Sequence, residues 1–151
     1  MKYIICLALV LVSISCGNDN EEQVNYTAQN EEEITTYIAE NNLTAQRSSS
    51  GLYYIIDTPG TGVQPNTNSN VTVAYKGYFT NQSVFDESNS DGISFSLQQV
   101  IKGWTEGITY FKEGGSGVLL VPSHLGYGSS GRGNIPGGAV LIFDVSLISV
   151  N

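Results

Sequence analysis

From Gly51 onward the chain is a succession of short β-forming runs, each broken by glycine, proline or asparagine, and only one stretch among them carries a helical repeat. "VTVAYKGYF", residues 71–79, alternates Val71, Val73 and Tyr75 with Thr72, Ala74 and Lys76, the period-two pattern of a half-buried strand. "AVLIFDVSLISV" repeats it with Leu141, Phe143, Val145 and Leu147 on one side. "GLYYIID", "ISFSL" and "GVLLVP", the last ended by Pro122, are the other strand candidates. The helical exception places Trp104, Ile108 and Phe111 at i, i+4 and i+7, one apolar stripe for a sheet to cover. The expected fold class is α+β, an antiparallel sheet closed over one short helix.

Composition narrows the chemistry. A chain of 151 residues has the length of one domain. The formal net charge is −8, and half of the 14 acidic residues (Asp19, Glu21, Glu22, Glu31, Glu32, Glu33 and Glu40) lie before residue 41. No cluster of Lys or Arg is present that could follow a phosphate backbone, which argues against nucleic acid as a partner. Cys6 and Cys16 are the only cysteines, so the β-rich part has no thiol for a disulfide, a zinc site or a nucleophile. His124 reads as a turn residue after Pro122, and "GYGSSGRG" lacks the G-K-[ST] ending of a phosphate cradle.

The first 15 residues have the layout of a secretory signal peptide: Lys2, an apolar run from Ile4 to Val12, then the small residues Ser13 and Ser15. The run is too short to serve as a comfortable membrane span. With Cys16 at its end the segment resembles the bacterial lipoprotein signal, although Ser13 stands where that signal usually has an aliphatic residue. The resemblance implies cleavage before Cys16, a lipid on that residue and attachment to a membrane of the bacterial cell envelope, facing the periplasm or the exterior. An ordinary secreted protein with a free Cys16 is the alternative. Residues 16–50 are expected to be an acidic tether containing one short helix, "NEEEITTYIAENN". Asn30 is its expected cap, Glu31 to Glu33 suit the positive end of its dipole, and Ile34, Tyr37 and Ile38 form a narrow apolar stripe. Such a helix is either a small docking element or a spacer.

Read in order, "VTVAYKGYF", "SVFDES", "FSLQQVIKGWTEG", "VLLVPSHLGYGSSG" and "NIPGGAVLIFDVSLI" resemble the FKBP-type peptidyl-prolyl cis-trans isomerases over residues 51–151. The resemblance implies an antiparallel sheet half-wrapped around one short α-helix. It further implies a pocket in which Tyr75, Phe85, Asp86, Ile101, Trp104, Tyr127 and Phe143 act on the substrate, with Val100 and Ile93 beside them. Trp104 would be the floor, and the Ile101 backbone N–H a donor to a substrate carbonyl. Two departures stand out: Ile93 replaces an aromatic residue of the best-known members, and Asn134 stands where an aliphatic one is common.

An Xaa-Pro bond rotates behind a barrier of about 18 to 20 kcal/mol set by amide resonance, and no bond is broken on the way. No cofactor or metal is therefore expected. Catalysis has to come from binding the twisted amide better than either planar form. The expected partners are Xaa-Pro segments of exported polypeptides, the membrane through Cys16, and FK506-like macrocyclic inhibitors, with the protein itself a monomer. A non-catalytic proline-motif binding module in an envelope complex is the alternative function. Taken singly, Trp104, Phe85, Val100 and Phe143 also suit an ordinary core, Tyr75 and Tyr127 half-buried positions, and Asp86 a turn.

Overall fold

The alternation of the strand segments becomes the two faces of one antiparallel sheet. The structure, a computed structural model, describes residues 24–151, so the signal segment with Cys6 and Cys16 lies outside the described residues. Helix α1 (Thr27–Glu40) comes first, followed by β1 (Gln46–Arg47), β2 (Tyr53–Thr58), β3 (Asn70–Tyr78), β4 (Val84–Glu87) and β5 (Ile93–Ser96). Then come α2 (Lys102–Gly107), continued by a 3-10 turn (Ile108–Tyr110), β6 (Ser116–Val121) and β7 (Leu141–Val150). The strand order is β1-β2-β6-β7-β3-β4, and β5 also pairs with β3. β4 was not among the expected strands, and the helix through Trp104 is shorter than its apolar stripe suggests. His124 sits in the 3-10 turn Ser123–Leu125 that follows β6.

On the inner face Val71, Val73, Leu119, Val121, Phe143, Val145 and Leu147 pack against Trp104, Ile108 and Phe111. Ile108 and Phe111 are wholly buried, so the stripe read from the sequence is the surface that fills the sheet. Glycine permits the close approach of α2 to β6: a Cβ on Gly107 would lie 2.8 Å from the Leu119 methyls.

The outer face is closed over part of its area by α1. Tyr53 of β2, Leu120 of β6, Ile142 of β7 and Tyr78 of β3 are successive cross-strand partners, forming one row across the sheet. Ile34 and Tyr37 of α1 lie on this row with Val140. That cover explains why Ile142 is buried although it falls between the inward-facing Leu141 and Phe143.

Asn30 does not cap this helix. The helix begins at Thr27, and Tyr26 at the cap position makes no side-chain capping bond. Asn30 is fully buried instead; its amide donates to the Gly138 carbonyl at 2.8 Å, and its Oδ1 accepts from the Ser123 N–H at 2.8 Å. The acidic residues likewise serve tertiary contacts. Glu31 accepts from the Tyr53 hydroxyl at 2.6 Å and pairs with Arg47 at 3.1 Å, and Glu33 accepts from the Thr80 hydroxyl at 2.7 Å. Of the two readings of this segment, docking element or spacer, the observed one is a docked helix.

Candidate active site

The inner core does not fill the space at the end of the sheet where β4 begins and α2 starts. A cleft of about 590 Å³ remains there, and Tyr75, Phe85, Asp86, Ile93, Val100, Ile101, Trp104, Tyr127 and Phe143 all line it. β3 supplies Tyr75, β4 supplies Phe85 and Asp86, β7 supplies Phe143, and the first turn of α2 supplies Trp104. Tyr127 comes from the β6–β7 connection, and Ile93 stands half-exposed at the rim.

The aromatic rings meet edge to face. Trp104 lies 5.0 Å from Tyr75 at 88° and 5.2 Å from Phe143 at 81°, and Phe85 lies 5.5 Å from Phe143 at 89°. Positive ring edges against negative faces favour this arrangement, and it sets the walls upright on a tryptophan floor. Gly77 makes the wall possible, being the cross-strand partner of both Asp86 and Phe143. A Cβ at that position would lie 2.7 Å from the Phe85 ring and 2.9 Å from the Phe143 ring.

Polar groups are few and placed. The Tyr75 hydroxyl donates to Asp86 Oδ2 at 2.7 Å, so in this structure Asp86 orients Tyr75. Burial, reinforced by the Asp86 carboxylate, raises the Tyr75 pKa well above the ordinary phenol value and keeps that hydroxyl a donor. Ile101 is extended (φ −60°, ψ 150°), and its carbonyl starts α2 by accepting from the Trp104 N–H at 2.9 Å and the Thr105 N–H at 3.1 Å. Its own N–H has no acceptor among the described residues and remains a free donor beside the cleft. The Trp104 indole N–H is also buried without a partner. Such a site can accept a compact apolar ring and orient a carbonyl. Among the described residues no group of three or more His, Cys, Asp or Glu lies together to hold a metal ion.

Residues 62–148 match the family described as FKBP-type peptidyl-prolyl cis-trans isomerase. The chain belongs to the FKBP-type peptidyl-prolyl cis-trans isomerase family. Among curated FKBP-type relatives, FkpA of Buchnera aphidicola (subsp. Schizaphis graminum) is 45% identical over 107 residues, covering 69% of this chain and 42% of the relative. The probable FkpA of Neisseria meningitidis is 43% identical over 106 residues, covering 68% of this chain and 39% of the relative. The matched part thus spans about two fifths of those relatives' length. Among solved structures, FkpA from Escherichia coli superposes with a TM-score of 0.74 at 36% identity, over 83% of this chain and 61% of that one. A peptidyl-prolyl cis-trans isomerase from Pseudomonas syringae gives 0.72 at 30% identity, over 83% of this chain and 96% of that one.

The FKBP-type cleft also has lining residues that sequence reasoning did not assign: Phe95, Gln99, Arg132, Gly133, Asn134 and Ile135. Phe95 stands 5.3 Å from Trp104 and extends the aromatic wall from β5. Its place two residues after Ile93 on one strand face was the available signal. Asn134 had stood out only as a departure from the family pattern, and for Arg132, Gly133 and Ile135 no local signal existed, because a Gly-rich turn does not show which surface it overhangs.

Proposed function

We propose that this chain is a peptidyl-prolyl cis-trans isomerase that assists the folding of exported polypeptides. The observation that carries the reading is the upright aromatic box on Trp104, with a fixed Tyr75–Asp86 pair in its wall and the free Ile101 N–H at its edge. A prolyl ring rests on the indole face between Tyr75, Phe85 and Phe143. The Tyr127 hydroxyl holds the carbonyl of the residue before proline, and the Ile101 N–H takes the next carbonyl along the substrate. Rotating the amide removes its resonance and much of its charge separation, so a water-poor aromatic cleft suits the twisted form better than the planar ones. Each ~1.4 kcal/mol of that preference is worth tenfold in rate.

The reading extends to the rest of the chain. Residues 1–15 act as the export signal, and Cys16 carries the lipid that holds residues 51–151 at the bacterial envelope as a monomer. Among the described residues no helix is long and apolar enough to cross a membrane. FK506-like macrocycles enter the same cleft, where Ile93 offers less ring surface than an aromatic residue.

The test is cis-trans exchange of a proline tetrapeptide, measured by NMR with residues 17–151. The expected result is faster exchange, lost in folded Trp104→Leu and Phe143→Ala variants. Saturable peptide binding with an unchanged exchange rate would instead establish a binding module.

A further inference from the structure

Among the described residues Arg132 is the only Lys or Arg that lines the cleft, and no carboxylate of theirs neutralises it: the salt bridge found among them joins Arg47 to Glu31. Its position is held twice. Arg132 and Ile135 exchange both backbone hydrogen bonds at 2.9 Å, closing a tight turn over Gly133 and Asn134, with Gly133 at φ 58°. The guanidinium carbon lies 5.9 Å from the centre of the Tyr127 ring, a cation–π contact that leaves the in-plane N–H donors free. The only carboxylate lining the cleft among the described residues, Asp86, accepts from Tyr75. The cleft therefore presents one unpaired, pre-oriented cation on the wall that carries Tyr127.

We propose that Arg132 selects substrates with an acidic residue immediately before the proline, its guanidinium pairing with that side-chain carboxylate. The inference rests on the isomerase reading, in which the Tyr127 hydroxyl holds the carbonyl of this same residue. A residue whose carbonyl meets Tyr127 brings its side chain next to the cation stacked on that ring. Charges beyond a Debye length of about 8 Å are screened at physiological salt, so the formal net charge of −8 bears less on a bound substrate than a cation inside the cleft does. A partly exposed charge pair of this kind changes kcat/KM by roughly threefold to tenfold.

The experiment compares tetrapeptides that differ only in having Glu, Gln, Lys or Leu before proline, each corrected for its uncatalysed rate, at 0.15 M and 1 M NaCl. In the unaltered protein the Glu peptide is expected to exceed its Gln counterpart threefold to tenfold in kcat/KM at low salt and less at high salt. That ratio falls to about one in Arg132→Gln, is retained in Arg132→Lys, and gives way to a Lys preference in Arg132→Glu. Turnover of the Leu peptide with a Glu to Gln ratio of one, or a ratio that survives in Arg132→Gln, overturns the role of Arg132. Absence of turnover for all four peptides overturns the isomerase reading itself.

Discussion

The two faces of the sheet both pair tyrosines with carboxylates, to different ends. On the outer face Tyr53 donates to Glu31 at 2.6 Å, tying β2 to the helix that covers it; on the inner face Tyr75 donates to Asp86 at 2.7 Å, within one rim of an open cleft. The chemistry of the pair is the same. What differs is the covering element: α1 lies over the outer row, whereas α2, only six residues from Lys102 to Gly107 with Trp104 in its first turn, is too short to close the inner one. A tyrosine–carboxylate bond under a helix adds to stability, and the same bond beside a void fixes the shape of a site.

Asn30 joins the two faces and offers the largest way to break the contrast. It belongs to the outer helix, yet it grips Ser123 and Gly138, the two ends of the connection that carries Tyr127 and Arg132. Asn30→Ala leaves a buried N–H and a carbonyl unpartnered and is expected to cost about 2 to 4 kcal/mol in urea unfolding. Turnover should fall as well, although no atom of Asn30 lines the cleft; an unchanged kcat/KM in the folded variant would show that the connection holds its shape without the helix.

Gly77→Ala acts on the inner face alone. The added methyl forces the Phe85 and Phe143 rings apart, an overpacking cost of about 1 to 3 kcal/mol. Isomerisation should drop by more than that stability loss explains, because the displaced Phe85 ring moves into the cleft. A variant with normal turnover would mean that the wall relaxes without narrowing the site.

The smallest effects separate the two tyrosine pairs directly. Tyr75→Phe should reduce turnover several-fold, while Tyr53→Phe should cost about 0.5 to 1.5 kcal/mol of stability and leave turnover unchanged. A pH series sharpens this. The Tyr53 hydroxyl, with Arg47 beside it, holds the Glu31 carboxyl below the ordinary 4.5. A carboxylate lowered in the folded state contributes stability above its unfolded value and loses it as pH falls through the folded one. Stability should therefore decline with acid below about pH 4.5, and less steeply in Tyr53→Phe, read from urea midpoints.

Much of the fold was legible because strands half-buried on one face write their burial as alternation, as Val71, Val73, Phe143 and Val145 do. β4 escaped notice because it has only four residues, lies at an edge and leaves Val84, Asp86 and Glu87 exposed, so no alternation results. A register shift between Gly77 and Tyr78 further breaks the pattern there. Asn30 read as a cap because Asn before a glutamate run is the usual signature of a helix start; its partners lie 93 and 108 residues away, beyond the reach of any local rule. The site residues were legible through their order along the chain, which matched a family, rather than through any property of Tyr75 or Trp104 alone.

The sequence by itself determined the strand faces, the inward stripe of Trp104, Ile108 and Phe111, and the set of aromatic residues available for a pocket, since all of these follow from local periodicity and residue type. Only the tertiary structure decided that Asp86 restrains Tyr75, that Gly77 must lack a side chain, that Asn30 ties a distant loop, and that Arg132 lies on Tyr127. Each of those depends on a distance between residues brought together by strand pairing or loop closure, and local propensity carries no information about such distances.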